Sequence, residues 1–299
     1  DIKGKEKEAR IKDMQNVKKK IKEIEAKLNI VEIDYNSLMM GIPNLPHDEV
    51  PKGKDGSDNV VLREVGKKTK YKFKPKGYLE IAEKLDLVDI DRASKVSGSR
   101  FGYIKGGLAL MEFALVQFAF DILTKEGFVP VVPPVMLKEK AMRAMGYMER
   151  GGDEIYHLEK DNLYLTGTAE QSLGAMHMGE ILEEKNLPKR YVGFSTCFRR
   201  EAGSYGQDTK GILRVHQFDK VEIVQVVEAK DSYKVLDDMV VHVESLIQSL
   251  GLPYRILRLC AGDLGFTASL TYDFEVYSAA QEKWLEVSSV SNFETYQAN

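Results

Sequence analysis

The chain has 299 residues, 43% of them hydrophobic, so it can bury a sizeable core as one or two domains of a soluble globular protein. Its formal net charge of −3 offers no general attraction for nucleic acid, so any RNA contact must come from a local patch. The two cysteines, Cys197 and Cys260, are too few for a disulfide framework or a cysteine-rich zinc site. We therefore expect a protein of the reducing cytoplasm.

The first 40 residues predict one long helix. Lysine and glutamate dominate this stretch, and apolar residues recur every three or four positions, at Ile11, Met14, Val17, Ile21, Ile24, Leu28 and Val31. Such a heptad seam indicates a helix of the coiled-coil type, which pairs with another helix. Composition alone also allows a plain solvent-exposed helix surface.

Prolines and glycines between Gly41 and Gly53 end this helix, and the Gly98-Ser99 pair precedes a second domain. We expect a helical arm over residues 1–40, a connecting segment over 41–97 and a larger domain over 98–299. Within the last, residues 107–120 are almost wholly apolar, but they are interrupted by Glu112 and are fewer than the roughly 20 residues that a membrane span requires. They predict a buried helix and no membrane segment.

The most informative stretch runs from Phe194 to Glu222 and predicts two strands joined by a loop over residues 202–211. A period of two places Arg199 and Glu201 on one face of the first strand. The same period aligns a second set on one face of the returning strand: Arg214, His216, Phe218, Lys220 and Glu222. Burying such a charged face costs free energy unless a ligand pairs with it, so the pattern indicates a polar, anionic and partly planar ligand.

These residues resemble motif 2 of class II aminoacyl-tRNA synthetases. The resemblance lies in the segments Phe198-Arg199-x-Glu201 and Arg214-x-His216-Gln217-Phe218. The longer segment AGSYGQDTKGILRVHQFDKVE is similar to the corresponding sequence of seryl-tRNA synthetases in particular. The resemblance implies an α+β fold, in which an antiparallel sheet is flanked by helices and preceded by the coiled-coil-type helix. It also implies ATP-dependent activation of L-serine to seryl-adenylate and transfer to the 3′ end of tRNA(Ser).

The resemblance extends to other parts of the chain. The helix over 1–40 resembles the second helix of the hairpin that grips the tRNA in this family. The apolar helix and the strand ending at Pro133 and Pro134 resemble motif 1, which implies a homodimer. Without the later motifs, the same helix and strand would be interpreted as a core helix and an edge strand.

Site residues are implied one by one. Arg199 would bridge the serine carboxylate and the α-phosphate of ATP, and Arg214 would hold the γ-phosphate. Phe218 would stack on adenine, and Glu201 would accept a hydrogen bond from its amino group. Glu222, together with Thr168 and Glu170 of the Thr-x-Glu segment, would bind the serine amine and hydroxyl. Residue pattern alone also explains Thr168 as the N-cap of a helix, worth about 1 kcal/mol.

Glu286 and Ser289 resemble the residues that hold Mg²⁺ on the ATP. They are three positions apart, and a regular strand would direct them to opposite faces. Either a bulge intervenes or Ser288 takes part instead. The family continues beyond this point to motif 3, a Gly-x-Gly-x-x-Arg segment whose arginine covers the other face of adenine. No such segment precedes Asn299, so we expect no serine-dependent ATP–pyrophosphate exchange from these 299 residues alone.

Two other functions stay open from the sequence. An amino acid:carrier-protein ligase shares the core of this family, but the heptad seam and the scarcity of cysteines argue against it. A non-catalytic paralogue that binds RNA or regulates would be expected to have lost Arg199, Glu201 or Arg214, and all three are present.

Overall fold

A computed structural model describes residues 2–148, 152–203 and 211–298. The chain forms two compact units, Asp1–Pro43 and Asn44–Asn299. The first unit consists of one helix, α1 (Ile2–Met40), whose seam residues from Ile11 to Val31 are exposed to solvent. The predicted long helix is confirmed. Most of the loop predicted over 202–211 lies outside the described residues.

The second unit alternates short helices and strands. Its α-helices are α2 (Tyr78–Lys84), α3 (Ile90–Ser97), α4 (Gly106–Lys125), α5 (Glu139–Ala144), α6 (Ala169–Gly174) and α7 (Ser232–Ser249). Its strands are β1 (Val60–Val65), β2 (Val88–Asp89), β3 (Tyr103–Ile104), β4 (Val129–Val131), β5 (Met136–Lys138), β6 (His157–Leu158), β7 (Leu163–Leu165), β8 (Lys189–Phe198), β9 (Gln217–Val226), β10 (Tyr254–Arg258), β11 (Leu270–Ser278) and β12 (Lys283–Asn292).

Two sheets build the body of this unit. One has the strand order β1-β10-β11-β12 with antiparallel pairing throughout, and the other has the order β4-β8-β9, in which β4 is parallel to β8 and β9 is antiparallel to it. Strands β9 and β12 are therefore edge strands of separate sheets. The sequence predicted an antiparallel sheet flanked by helices, and the pairing is antiparallel except at β4.

Helix α7 packs across both sheets with one apolar stripe, formed by Leu236, Val240, Val243 and Ile247. The steps of four, three and four residues keep these side chains on one face of the helix. They contact Phe274 of β11 and Val290 of β12, while Ile223 of β9 packs against the same cluster. At about 1.5–3 kcal/mol for each fully buried side chain, this stripe is a main source of stability for the unit.

Helix α4 differs from its prediction as a buried helix. Only Leu123, near its C-terminal end, is buried, where it contacts Phe128 and Val192. Several large apolar side chains in the rest of the helix are exposed, including Leu110 at 72% and Phe113 at 63%. The apolar character of the segment is therefore not explained by packing within one chain. By length and composition α4 could also cross a membrane.

The strands β8 and β9 are confirmed, but they are shorter than the alternation predicted. Pairing ends at Phe198 and Gln217, so Arg199, Glu201 and Arg214 lie beyond the ladder. Glu201 has a φ of 52°, a left-handed conformation that leaves the extended strand geometry. The prediction that these charged residues continue the strand faces is wrong, because the backbone turns out of the sheet where they begin.

Candidate active site

The face shared by β8 and β9 is lined by small residues on one strand and by charged and aromatic residues on the other. Gly193, Ser195 and Cys197 lie opposite Glu222, Lys220 and Phe218, respectively. Directly opposed residues of an antiparallel pair project to the same side of the sheet. A side chain on Gly193 would meet Leu173 of α6 at 2.8 Å, so glycine is needed for this helix to lie against the sheet.

The loop between β7 and α6 is held firmly by Gln171, a buried side chain. Its Oε1 accepts hydrogen bonds from the Gly167 N–H and the Thr166 hydroxyl, each at 2.9 Å. Thr168 is the N-cap of α6, and its hydroxyl accepts from the Glu170 N–H at 3.3 Å. The capping interpretation is therefore correct, and it fixes Thr168 beside β9.

Thr168, Lys220 and Glu222 form a closed ring of polar contacts. The Thr168 hydroxyl donates to Glu222 Oε2 at 2.6 Å and accepts from Lys220 Nζ at 3.0 Å. Lys220 Nζ lies 2.6 Å from the same Glu222 oxygen. A hydroxyl carries a single proton, so Thr168 donates its one hydrogen bond to Glu222 and orients that carboxylate.

Glu170 lies in the same pocket and is clamped from two distant parts of the chain. Its Oε1 accepts from the Tyr147 hydroxyl at 3.2 Å and from the Gln297 side-chain amide at 3.0 Å. Burial, followed by the charge of Glu222, raises the pKa of Glu170. Burial and the charge of Glu170 likewise raise the pKa of Tyr147 well above its usual value. Tyr147 therefore stays a neutral donor that holds the carboxylate in place.

Arg199 occupies the end of β8 above this pocket. Its Nε donates to the Gly167 carbonyl at 3.1 Å, and its guanidinium lies 5.2 Å from the centre of the Phe218 ring. Two hydrogen bonds join Arg199 to His216. The Arg199 N–H donates to the His216 carbonyl, and His216 Nδ1 contacts the Arg199 carbonyl, both at 3.0 Å. These contacts fix the direction of a side chain that is itself exposed.

Arg214 and Glu201 meet as an ion pair beyond the strand ends. Arg214 Nη1 donates to Glu201 Oε2 at 2.9 Å, and the glutamate side chain is the better shielded of the two. The left-handed backbone of Glu201 costs free energy of order 1–3 kcal/mol in a residue other than glycine. The structure thus keeps a strained conformation that brings a carboxylate to Arg214.

A β-bulge in β12 resolves the spacing of Glu286 and Ser289. Opposite this strand, Glu275 pairs with Glu286 and Asp273 pairs with Ser289, while the register shifts between them. Asp273 and Glu275 are two apart and face one side of the sheet, so the extra residue, Val287, brings Glu286 and Ser289 to that side as well. Of the two alternatives that the sequence left open, the bulge is correct.

Acidic side chains gather around this bulge. Burial and the neighbouring Glu286 raise the pKa of Asp273 to about 7, and burial also raises the pKa of Glu286, against the opposing charge of Arg199. The Oδ1 atom of Asp273 is buried without a hydrogen-bond partner among the described residues. Hard oxygen ligands with an unsatisfied member are suited to a hard cation such as Mg²⁺.

One cavity of about 950 Å³ joins part of the site. Its lining includes Glu170, Lys220 and Glu222 from one side and Ser289 and Gln297 from the other. Thr168 reaches these residues through its hydrogen bonds. Arg199, Glu201, Arg214, Phe218 and Glu286 lie outside the lining, although the charge of Arg199 acts on Glu286.

Sequence reasoning missed several residues of the pocket. Lys220 could have been found, since it was already on the same strand face as Phe218 and Glu222. Tyr147 and Gln297 carry no local signal, because they reach Glu170 from positions 23 and 127 residues away. Asp273 and Glu275 likewise join the site through strand pairing and not through a motif.

Comparison with known proteins decides the family. The model of the tRNA synthetase class II core domain (G, H, P, S and T) matches residues 155–299. The serine–tRNA ligase of Fervidobacterium nodosum is 42% identical over 296 residues, which cover 99% of this chain and 70% of that protein. The chain belongs to the serine–tRNA ligase family. Serine–tRNA ligase from Bacillus cereus is 43% identical, over 97% of this chain and 69% of the relative.

The fold agrees with that of solved serine–tRNA ligases. A crystal structure of seryl-tRNA synthetase from Pyrococcus horikoshii, complexed with ATP, superposes with a TM-score of 0.91 at 38% identity, covering 95% of this chain and 68% of that one. The class II synthetase fold, preceded by a long helix, is therefore shown. As a member of this family, the protein is an aminoacyl-tRNA ligase.

Proposed function

We propose that this site joins L-serine to ATP, forming seryl-adenylate and pyrophosphate, and then transfers the seryl group to the 3′ end of tRNA(Ser). The observation that carries this proposal is the pairing of two carboxylates, Glu170 and Glu222, with an arginine, Arg199, held close by. A free amino acid is a zwitterion, so it needs an anionic pocket for its ammonium and a cation for its carboxylate.

Glu222 and Glu170 bind the serine ammonium and hydroxyl. Each is already oriented by donors from the protein, Thr168 for one and Tyr147 and Gln297 for the other. Pre-oriented carboxylates lose little conformational freedom when the ligand arrives. A pocket that hydrogen-bonds a substrate hydroxyl can reject the analogue lacking it by roughly 10⁴- to 10⁵-fold, so alanine is excluded without a separate editing domain.

Arg199 brings the reacting groups together. An oxygen of the serine carboxylate attacks the α-phosphorus, a P–O bond to the seryl carboxyl forms, and the bond to pyrophosphate breaks. The two reactants are both anionic, and the guanidinium fork offsets their repulsion while contacting both. Its Nε donates to the Gly167 carbonyl, and a guanidinium has four further N–H donors that can contact the ligands.

Phe218, Glu201 and Arg214 hold the rest of the nucleotide. Phe218 presents a ring on which adenine stacks, and Glu201 accepts from the adenine amino group. A guanidinium has five N–H donors, so the ion pair of Arg214 with Glu201 is compatible with contacts to the γ-phosphate.

Glu286 and Ser289 would hold Mg²⁺ on the ATP, where the ion would neutralise charge on the leaving group. The bulge at Val287 places their oxygen atoms on one side of β12, and the unpartnered Asp273 oxygen lies at the same place, so the donor set fits a hard cation. No group of three or more His, Cys, Asp and Glu side chains arranged to hold a metal occurs among the described residues. Mg²⁺ is usually bound by one or two carboxylates together with substrate phosphates and water.

The arm over residues 1–40 binds tRNA(Ser), and the domain over 98–299 carries the chemistry. Helix α1 supports this assignment, because its exposed apolar seam needs a partner helix and its other faces are rich in lysine. Residues 41–97 lead from α1 into this domain, and β1 within them pairs with β10 of its main sheet.

The protein acts as a cytoplasmic homodimer, with α4 in the interface. Exposed apolar side chains on α4, together with Val129 and Val132 next to β4, form a surface that a second copy would cover. Changing Leu110→Glu should convert the dimer to a monomer in light scattering. The matched change Val96→Glu, at an equally exposed residue of α3, should leave the dimer intact. A protein that stays dimeric with Leu110→Glu would place the interface elsewhere.

The function is tested with the full-length product of the gene that encodes this chain, supplied with radiolabelled serine, ATP and either tRNA or an acyl carrier protein. We expect serine to be esterified to tRNA and not to the carrier. Transfer to the carrier alone would identify an amino acid:carrier-protein ligase. Binding of tRNA without serine activation would identify a non-catalytic paralogue.

A further inference from the structure

Lys220 has no role in the mechanism above, yet it is at the centre of the serine pocket. Its side chain is 36% exposed and lines the cavity, and its Nζ lies 2.6 Å from Glu222 and 3.0 Å from the Thr168 hydroxyl. It lies on β9 directly opposite Ser195, a buried residue too small to cover it. The ammonium therefore has one carboxylate in direct contact and an open side toward the cavity.

The groups that act on Lys220 come from several elements, and most are ionisable. They are Glu222 on β9, Glu170 on α6, Cys197 on β8, Arg199 after β8 and Glu286 on β12, and Tyr147, after α5, donates to Glu170. Burial alone would lower the pKa of Lys220, but the attraction of Glu222 and Glu170 raises it above the usual value. Lys220 is therefore charged throughout the physiological range of pH.

The charges in the pocket add up to one unit of negative charge. Glu170 and Glu222 supply two negative charges and Lys220 supplies one positive charge, because Tyr147 and Cys197 remain neutral. A substrate ammonium brings the pocket to neutrality. Arg199 neutralises the substrate carboxylate. The charges of the site as a whole are therefore complementary to a zwitterion.

We propose that Lys220 is a positioning residue, whose ammonium lets Glu170 and Glu222 stay ionised side by side so that both can receive the substrate ammonium. This inference rests on the proposed function and deepens it. Two carboxylates that share a site without a cation repel each other, and one of them takes up a proton. Lys220 prevents that protonation, and through Thr168 it also fixes the orientation of Glu222.

Removal of the ammonium has a specific consequence. In a Lys220→Met variant, one of the two carboxylates is protonated near neutral pH and must release its proton before the substrate ammonium binds. Serine binding then improves as pH rises and weakens by up to about tenfold for each unit that pH falls. In the native pocket Lys220 opposes that protonation, so fewer protons are released on binding and the affinity for serine changes less between pH 6 and 8 than in the variant.

The test uses the full-length protein and the variants Lys220→Met and Lys220→Arg. Lys230→Met serves as the matched control, because Lys230 forms an ion pair of the same 2.6 Å length with Glu228 away from the site. The KM for serine is measured by ATP–pyrophosphate exchange from pH 6 to 8. Titration calorimetry with L-serine, in two buffers of different ionisation enthalpy, counts the protons released on binding.

We expect Lys220→Met to raise the KM for serine by about tenfold or more at pH 6, with recovery toward pH 8 and release of up to one proton. The KM for ATP should stay within about twofold, and Lys220→Arg should bind serine without proton release. A KM that rises equally at every pH, without proton release, would reduce Lys220 to a structural residue and overturn the proposal. Failure of the unsubstituted protein to bind serine, while ATP binds, would instead overturn the proposed function.

Discussion

The two halves of the site are built in different ways. In the serine pocket, Thr168, Lys220 and Glu222 pair with one another on a regular strand and a capped helix. On the nucleotide side, Arg199, Glu201 and Arg214 lie past the ends of β8 and β9 and are reached by a backbone that leaves the sheet. The first arrangement is rigid before the substrate arrives. The second places exposed cations where a large anion can approach.

This difference suits the two ligands. Serine is small, and its recognition depends on a few hydrogen bonds with fixed geometry, which a sheet and a helix cap provide. ATP carries several negative charges over a longer distance, and charge attraction tolerates more variation in position. Substitutions in the two halves should therefore affect different kinetic constants.

The largest effect is expected on the nucleotide side, at Arg199. Arg199→Lys keeps the charge but loses the bidentate fork, so kcat/KM for serine activation should fall by roughly 100- to 1,000-fold in ATP–pyrophosphate exchange. The neighbouring Arg200→Lys is the control, since Arg200 packs on Tyr156 and should change the rate by about twofold at most. Equal losses in the two variants would show that Arg199 has no special role.

A smaller and more selective effect is expected in the serine pocket, at Glu222. Glu222→Gln removes the charge that meets the substrate ammonium, worth about 1.5–3 kcal/mol, and should raise the KM for serine roughly 10- to 150-fold. The KM for ATP should be little changed in the same assay. Glu228→Gln, at the glutamate that forms an ion pair with Lys230, is the control. If Glu222→Gln weakens ATP instead of serine, the division of the site into two halves is wrong.

Glu286 tests the nucleotide side by a different route. Glu286→Gln should raise the Mg²⁺ concentration needed for half-maximal exchange by about tenfold, because an anionic ligand becomes neutral. Glu282→Gln, in the turn before β12, is the control. An unchanged Mg²⁺ requirement would remove Glu286 from the metal site.

The smallest effect is expected at Thr168, where one hydroxyl serves both the fold and the pocket. Thr168→Ala should lower the free energy of unfolding by about 1 kcal/mol through loss of the helix cap, measured by urea denaturation. It should also raise the KM for serine, because Glu222 loses a donor. Thr168→Ser retains the hydroxyl and should restore both properties. A variant that loses stability with an unchanged KM would make Thr168 a cap alone.

Acid should weaken serine binding through Glu170. Burial and Glu222 raise the pKa of Glu170, so this carboxylate takes up a proton at a higher pH than an exposed glutamate would. As pH falls through that raised pKa, affinity for the serine ammonium falls with it. Measuring the KM for serine as pH is lowered checks this, and a KM that does not rise would contradict it.

Regular periodicity explains what the sequence could predict. The alternation along β9 places Phe218, Lys220 and Glu222 on one face, and the heptad spacing gives α1. The alternation could not show where pairing stops, because a left-handed conformation is uncommon in a residue other than glycine and the residue pattern does not indicate it at Glu201. Local patterns also could not predict Tyr147 and Gln297, which are brought to Glu170 by tertiary packing.

Two further differences have the same physical origin. The three-residue spacing of Glu286 and Ser289 became compatible with a shared face only through the bulge at Val287, which depends on the register of β11. The apolar sequence of α4 predicted burial, and a sequence cannot say whether the covering surface belongs to the same chain or to another.

The central claim is that the pocket of Glu170 and Glu222, with Arg199 beside it, activates serine. Amino-acid-dependent ATP–pyrophosphate exchange by the full-length protein tests it most directly, with serine, threonine and alanine compared at equal concentration. The account predicts exchange with serine and discrimination against alanine of roughly 10⁴-fold or more. Absence of exchange with serine, or faster exchange with either of the other two amino acids, would contradict it.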